Sequence, residues 1–588
     1  MKATAVSGPP KSLSHFVADL EARHLSFMFL SLTLLASFAV RASAWHHWHT
    51  GAIESEGAEY ARIAENLRNG QGYVGISTPG TQLVFAPLFP SLIAAASLIT
   101  HNDYELAGRL VSFLLGALLP LPVFAVANRL FHRRAAVIAA ILTVVYPVFV
   151  NLSFSVFSEG PYATILLTAV YLVLHAFDRP STLNWSFVGV AFGAAYLMRQ
   201  EAAGPLLVAI LLGLIAGDDP SLVKAKRALG ALAVFIILAS PQVLLLYKST
   251  GKLRLEGKSL INYAWGIRVL NAGTGPGAEE SIQDIAYDAA NSINDRLEGT
   301  GVGMRPNAEI IRETHVRFRE AIRFFGEAVH RNTPELFAKL RERWLGAPFL
   351  PALAFLGVLR RPWPRHIAFH HLFFILVPAT AIMTTFTVVH AIYVRNYFIL
   401  APFLLIWGAN GLLEVARWTN RNIAVILQGV SISSVPGGLA AGLIAILMLG
   451  YAWKDTRNLY VFREGSTESQ GAKDAGLWIK QQQTRRVRVM DVLDTIAFHA
   501  DAGYVHFPSC APQLALSYMQ KEKVDYIILR RGFKQPKYYK DWLTSGSIPD
   551  TRATMVYATR DSDPSGILVF RWSETGHGST AADAVFRE

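Results

Sequence analysis

Four carboxylates, Glu54, Glu56, Glu59 and Glu65, follow directly on the first long apolar run of the chain. Acids in such a place can take a proton in an enzyme, couple an ion in a transporter, or cap the helix that they open. Tyr60, Ile63, Ala64 and Leu67 recur at i, i+3, i+4 and i+7, which predicts a short helix with one apolar face, ended by Gly70 and Gly72. Glu54 and Glu56 stand at its start, while Glu59 and Glu65 are read as helix-start acids without a chemical role. Three more polar sites interrupt apolar sequence: FSEG at 157–160 with Glu159, MRQE at 198–201 with Arg199 and Glu201, and YVRNY at 393–397 with Arg395. Polar groups beside membrane-length runs are costly unless solvated or paired, so each is a functional candidate by default. WHHWH at 45–49 has the residue types of a metal site, but aromatic and histidine residues at a span end read better as interfacial anchors. The lone Cys510 excludes an internal disulfide and any thiolate metal cluster.

The elements that position these groups are set by hydrophobicity. Of 588 residues 52% are hydrophobic and 17% charged, too apolar for an ordinary soluble chain. Apolar runs fall near 25–44, 107–128, 135–152, 160–177, 185–198, 203–216, 228–247, 347–359, 368–386, 397–413 and 438–453, which predicts a polytopic α-helical membrane protein of about eleven transmembrane helices. ASA at 42–44 resembles a cleavage site, yet Asp19, Glu21 and the many later spans favour a retained first helix. The net charge of +12 sits largely in short loops, so it reads as a topology signal and not as a nucleic-acid surface. Alternating the spans places Arg129, Arg133 and Arg134, then Lys224, Lys226 and Arg227, then Arg360, Arg361 and Arg365, then Arg417 and Arg421 on one side, which is the cytoplasmic one.

It follows that a short cytoplasmic segment (1–24) precedes a membrane domain (25–453) whose loops 45–106 and 248–346 face outward. The acidic and basic candidates then gather on that outer face. FAPLFPSLIAAASLI at 85–99 is too short to cross and is read as interfacial or re-entrant. In the second outer loop Ile311, Phe318, Ile322, Phe325 and Val329 form one stripe, with Arg312, Arg319 and Arg323 beside it, and Thr333-Pro334-Glu335 signals the start of a second helix. Such helices suit a membrane surface as well as they suit solvent. Beyond 453 the composition turns soluble; VRVMDVL and VDYIILRR read as buried strands of an α/β domain, 454–588, on the outer side. It carries no P-loop and no strand-associated GxGxxG.

The order of the segments EGAEYARIAENLRNGQGYV, FAPLFPSLIAA, AGRLVSFLLGALLPLPVFAVANRLF, FSEGPYATILL, YLMRQEAAGPLL and YVRNYFILAPFLL resembles glycosyltransferase family 39, the protein O-mannosyltransferase and aminoarabinose-transferase type with a GT-C fold. The likeness covers 25–413 and rests on order and topology more than on any one motif. It implies a sugar donor on a polyprenyl phosphate, an outer-face reaction that inverts the anomeric centre, and a first-loop acid as general base. Matching on Tyr60 places the first of the family's paired acids at Glu56 and leaves Gly57 where the second would stand; register favours Glu56, with Glu54 the alternative. Glu159 matches a second acid that positions the acceptor, binds an ion or caps its helix. Arg199 and Arg395 match cationic sites near the donor phosphate, with Lys258 a further candidate; pairing of Arg199 with Glu201 is the competing reading. Arg109 matches an arginine of structural use. LVFAP lacks the acidic–basic pair of the aminoarabinose branch, which argues against that branch's acceptor and metal arrangement.

The expected partners are therefore a polyprenyl-phosphate-linked sugar, an acceptor that is protein, lipid or glycan, and membrane lipid. No metal ligands are assigned, and a divalent cation is the one cofactor left open. The competing readings are a multi-pass transporter of lipid-linked or small solutes, and an assembly component whose outer tail does the work.

Overall fold

The computed structural model describes residues 13–48, 52–271, 306–340, 349–359, 362–385, 398–426, 435–456, 468–508, 510–531, 537–559 and 566–573. Arg395, Arg360, Arg361 and His49 lie outside them. The eleven apolar runs all coincide with helix to within a few residues. They are α1 (Leu13–Trp48), α4 (Tyr104–Leu118) with α5 (Pro120–Leu130), α6 (Arg133–Val145) with α7 (Pro147–Leu152), α8 (Glu159–Asp178), α9 (Thr182–Met198), α10 (Ala203–Ile215) and α11 (Ser221–Thr250), followed by α15 (Phe349–Leu359), α16 (Ala368–Thr385), α17 (Leu400–Ile426) and α18 (Val435–Thr456). Six of the described helices are long and apolar enough to cross a membrane, and α9, α10 and α15 are shorter apolar helices. Pro147 divides α6 from α7, since its ring cannot be accommodated inside a helix without losing a hydrogen bond.

Between α1 and α4 lie the two short helices of the first loop, α2 (Ser55–Arg68) and α3 (Leu88–Ala96). At nine residues α3 spans only about 14 Å, well short of the roughly 30 Å hydrocarbon core. It packs against α2 and α4, and is too short to be a crossing.

At one end of the bundle, Arg129 pairs with Asp178 and contacts His175 Nδ1 at 2.7 Å. His370 reaches Asp178 at 2.8 Å, and Arg417 contacts His132 Nε2 at 2.8 Å. The ends of α5 and α8, the starts of α6 and α16 and the second half of α17 therefore meet there, so three of the four basic clusters share one end, as charge alternation requires.

The second loop carries α12 (Lys258–Asn271), α13 (Asn307–Glu313) and α14 (Phe318–Leu340). Two expectations fail here. Ile311 belongs to α13 and is buried against Leu83 and Leu246, so it shares no stripe with Phe318. Thr333-Pro334 starts no helix: α14 runs through Pro334. Thr333 Oγ1 donates to the carbonyl of Val329 at 2.6 Å, which spends the capping hydroxyl inside the helix instead of at its start.

The tail begins with α19 (Glu468–Gln482) and forms a five-stranded sheet in the order β2-β1-β3-β5-β4. β1 (Arg488–Asp491) runs parallel to β2 (Gly503–His506) and β3 (Tyr526–Leu529), while β4 (Ala553–Ala558) and β5 (Leu568–Trp572) add antiparallel at the far edge. Alternate residues feed two cores: Met490 and Ile527 pack with Phe507 and Trp542, and Val489 and Ile528 with Ala475 and Ile496. Burial on both faces is what a parallel sheet needs, and it explains why VRVMDVL and VDYIILRR read as near-continuous apolar runs. The sheet sits against the first loop: Arg62 of α2 pairs with Asp501 at 2.8 Å, and Lys473 with Glu105 at 3.1 Å.

Candidate functional site

Glu54 precedes α2 in extended backbone, its carbonyl accepting from Ala58 N at 2.7 Å, and Glu56 lies in the first turn. Both are half-buried. One turn on, the Tyr60 ring is fixed edge-to-face by Phe85 and Phe89, each 4.9 Å away between centroids. Phe85-Ala86-Pro87 and α3 thus aim the Tyr60 hydroxyl. It lies 3.1 Å from Ser158 Oγ and 3.4 Å from Glu56 Oε1. Burial and then Glu159 raise the phenol above the ordinary tyrosine range, so it stays a proton donor at any physiological pH.

Ser158 stands directly before α8, and its Oγ is also 3.4 Å from Arg199 Nη1. Arg199, in the break between α9 and the single turn Gln200–Ala202, is held by two acids. Its Nη1 lies 2.8 Å from Glu159 Oε1 and its Nε 2.7 Å from Glu201 Oε1. The guanidinium also lies over the Tyr162 ring. Lys258, opening α12, is electrostatically coupled to Arg199, Glu201, Glu159 and Glu256, and burial followed by Arg199 draws its ammonium below the ordinary lysine range. Burial raises the Glu256 carboxyl. A hydrogen-bonded chain therefore runs from Glu56 through Tyr60 and Ser158 to Arg199, and from there to two further acids.

Within this chain one acceptor is unspent: Glu159 Oε2 is buried and makes no hydrogen bond. Such an oxygen is expensive to leave unpaired. For Arg199 the pairing with Glu201 is present, and Glu159 is added to it.

Gly57 explains the missing second acid. A Cβ there would lie 2.8 Å from Ile53 Cγ1 and 3.0 Å from Val156 Cβ, so a side chain has no room. Glu59 is spent elsewhere. It accepts from the backbone N–H groups of Ile76 and Ser77 at 2.8 and 2.9 Å and from Gln82 Nε2, clasping the loop that follows α2. Gly75 is required there, because a Cβ would sit on the Glu59 carboxylate. Glu65 pairs with Arg62 at 2.9 Å. Arg109 donates to the carbonyls of Ala52 and Phe154 and pairs with Glu105, tying the first loop to the segment before α8.

Sequence reasoning missed Ser158 as the hinge of the chain. The FSEG motif held it, but serine beside glutamate drew attention to the acid. It missed the tail as well. Asp494 follows β1 and hydrogen-bonds Ser55 at the start of α2. Burial, reinforced by Glu59, pushes its carboxyl up to about 8, with the Ser55 bond opposing. Among the described residues no group of three His, Cys, Asp or Glu side chains is placed to hold a metal ion; the rings of His46 and His47 meet edge-to-face at the end of α1.

Residues 85–245 match the family described as Dolichyl-phosphate-mannose-protein mannosyltransferase. The family resemblance is borne out over this segment. That segment runs from the ring contacts of Tyr60 through Arg109, Glu159, Arg199 and Glu201 to α11. Among solved structures, the archaeal oligosaccharyltransferase AglB from Archaeoglobus fulgidus, in complex with an inhibitory peptide and a dolichol-phosphate, matches with a TM-score of 0.56 at 15% identity, over 94% of this chain and 75% of that one. ArnT from Cupriavidus metallidurans, bound to undecaprenyl phosphate, matches at 0.51 and 12% identity, over 95% of this chain and 100% of that one. No curated protein matches by sequence. At these identities the likeness is one of fold, and the fold is that of the GT-C membrane glycosyltransferases.

Proposed function

We propose that this protein is an inverting glycosyltransferase that moves a sugar from a polyprenyl phosphate to a hydroxyl-bearing acceptor on the outer face of a cell membrane. The observation that carries this reading is the hydrogen-bonded chain joining Glu56 to Arg199, with Lys258 and the unspent Glu159 oxygen beside it. Glu56 takes the acceptor's hydroxyl proton as that oxygen attacks the anomeric carbon. The bond from the anomeric carbon to the phosphate oxygen breaks, and its electron pair stays on the phosphate. Lys258 and the Arg199 guanidinium stabilise the negative charge that develops there, and Arg395, outside the described residues, is assigned the same role from the family pattern. Glu159 holds a substrate hydroxyl. Tyr60, which keeps its proton, orients the Glu56 carboxylate. An outer-face site lets the polyprenyl tail remain in lipid while its phosphate enters the protein.

A transporter would place its ionisable groups near the bilayer midplane between repeated halves, whereas this cluster lies at helix ends beside the loops. Vesicles given a radiolabelled polyprenyl-phosphate sugar test the reading. The expected result is label transfer that falls by about 10²–10⁴-fold in Glu56→Gln, the range for loss of a general base, and much less in Glu54→Gln. Transfer unchanged in both variants would sink the assignment. Translocation of intact lipid-linked sugar without transfer would establish the transporter instead.

A further inference from the structure

Helix α2 carries two polar faces. Glu56 and Tyr60, four residues apart, belong to the hydrogen-bonded chain of the site. Ser55, Glu59 and Arg62 recur at i, i+4 and i+7, which groups them on a face about 100° round the helix from Glu56. That second face meets the tail.

The meeting is made at both ends of one short helix of the tail, α20 (Thr495–His499). Asp494 stands directly before α20 and hydrogen-bonds Ser55. Asp501 stands two residues after it and pairs with Arg62 at 2.8 Å. The two aspartates are seven residues apart, as are Ser55 and Arg62, so α2 and α20 lie side by side and are pinned at each end. Between the pins the Phe498 ring lies 5.7 Å from the Arg62 guanidinium carbon. The first pin diverts Asp494 from the use its position favours. An aspartate at a helix start ordinarily accepts from N–H groups of its own first turn, yet Asp494 makes no such bond. Glu54 makes none to α2 either, so the first residue of α2 is held from the tail. On its other side α2 is seated on the bundle, with Gly57 against Val156 and Tyr60 reaching Ser158. The bundle therefore sets how closely α2 approaches, and the tail sets its rotation. Rotation matters because a misplacement of about 1 Å at a reacting group can cost on the order of 10²-fold in rate.

We propose that Asp494 is a positioning residue for transfer: from the tail it holds Ser55, and so turns α2 to bring the neighbouring Glu56 carboxylate to the acceptor hydroxyl. The hold on α2 follows from the contacts alone; its part in transfer rests on the glycosyltransferase reading.

The test uses the full-length protein in lipid vesicles at pH 7, with a radiolabelled polyprenyl-phosphate sugar and the variants Asp494→Ala, Asp494→Asn and Ser55→Ala. Asp494→Ala should lower kcat about tenfold and leave the donor KM within about twofold, since a displaced base weakens the transition state and not donor binding. Asp494→Asn keeps an acceptor oxygen for the Ser55 hydroxyl and should hold kcat within about threefold of the parent. Ser55→Ala should match Asp494→Ala, and the double variant should be no slower than either, as for two halves of one contact. Hydrogen exchange at Ala58, Glu59 and Tyr60, the first hydrogen-bonded amides of α2, should quicken about tenfold in Asp494→Ala and not in Asp494→Asn. Unchanged kcat in Asp494→Ala, an equal loss in Asp494→Asn, a loss carried by KM, or multiplied losses in the double variant would each overturn the proposal. So would faster exchange in β1 and β3 together with α2, the mark of a merely structural residue. No transfer by the unaltered protein would defeat the glycosyltransferase reading instead. The hold on α2 is read separately, and unchanged exchange in Asp494→Ala would overturn it.

Discussion

At the scale of single residues, Tyr60 does two jobs that substitution can separate. Its ring is packed by Phe85 and Phe89, and its hydroxyl reaches Ser158 and Glu56. Tyr60→Phe keeps the ring and removes only the hydroxyl. Since one hydrogen bond is worth about 0.5–1.5 kcal/mol, transfer should fall by up to about tenfold. The melting temperature should barely move, and a large melting shift would show that the hydroxyl is structural. Gly57 leads to the opposite expectation. Gly57→Ala forces Ile53 and Val156 apart and should cost about 1–3 kcal/mol, as overpacking does, measured by thermal unfolding in detergent. Much of this scale was legible: acids at a span end, an arginine in a break between apolar runs and an aromatic at helical spacing all announce themselves. Ser158 and the sterics at Gly57 were not legible, because they depend on which segment lies opposite, and one chain in one dimension does not state that.

At the scale of elements, the contact between α2 and the carboxyl end of β1 carries a pH dependence. The Asp494 carboxyl, raised to about 8 from an ordinary 3.8, faces Ser55 and Glu59 on α2 and Arg530 within the tail. A raised acid is bound more tightly by its proton in the folded state. Its stabilising contribution is full below about 4, is lost as pH rises through 8, and is constant above that. Of the other shifted groups in the same unit, Asp491 at about 6 and His499 and His506 at about 4 and 3 have finished titrating by pH 7, while Tyr504, Tyr526 and Tyr539 are raised beyond the range tested. Hydrogen exchange across α2 should therefore quicken from pH 7 to 9 beyond its intrinsic rise, and Asp494→Asn should flatten that trend. A variant with the same slope as the parent would remove Asp494 as the cause.

The helix α14 gives a second expectation. Phe318 and Ile322 are 79% and 57% exposed, with Arg319 and Arg323 alongside. That face suits the lipid interface, where apolar groups enter the acyl boundary and cations meet phosphate. Tryptophan at position 318 should be quenched by brominated lipid; quenching by aqueous acrylamide alone would argue that the face is solvated. The sequence marked the amphipathic character of this region but not its boundaries. A proline with a preceding threonine reads as a helix start, and here tertiary packing of Phe324, Ala328 and Leu336 carries the helix through it.

For the whole molecule, charge alternation and the geometry lead to the same arrangement. The ends of α5 and α8, the starts of α6 and α16 and the second half of α17 meet through Arg129, Asp178, His370, His132 and Arg417, while α2, Arg199 and the tail gather together elsewhere. A topology tag inserted at position 300 should be accessible from outside intact cells. Reactivity only after permeabilisation would invert the orientation and place the cluster on the cytoplasmic side. The loop between 248 and 346 was assigned to this face from charge in short loops alone. The docking of the tail on the first loop had no such signal, since Arg62 and Asp501 are ordinary surface residues until the sheet brings them together.

That docking also imposes a schedule. Arg62 and Asp501 are separated by 439 residues. At a synthesis rate of about 5–20 residues per second, roughly 20–90 s pass between the emergence of one and of the other. Through that interval α2 and the carboxylates at its start have no sheet to lean on, whatever the state of the helices around them. The first loop is thus completed last, by the final fifth of the chain, and a ribosome that stalls before residue 468 releases a bundle whose first loop was never fastened.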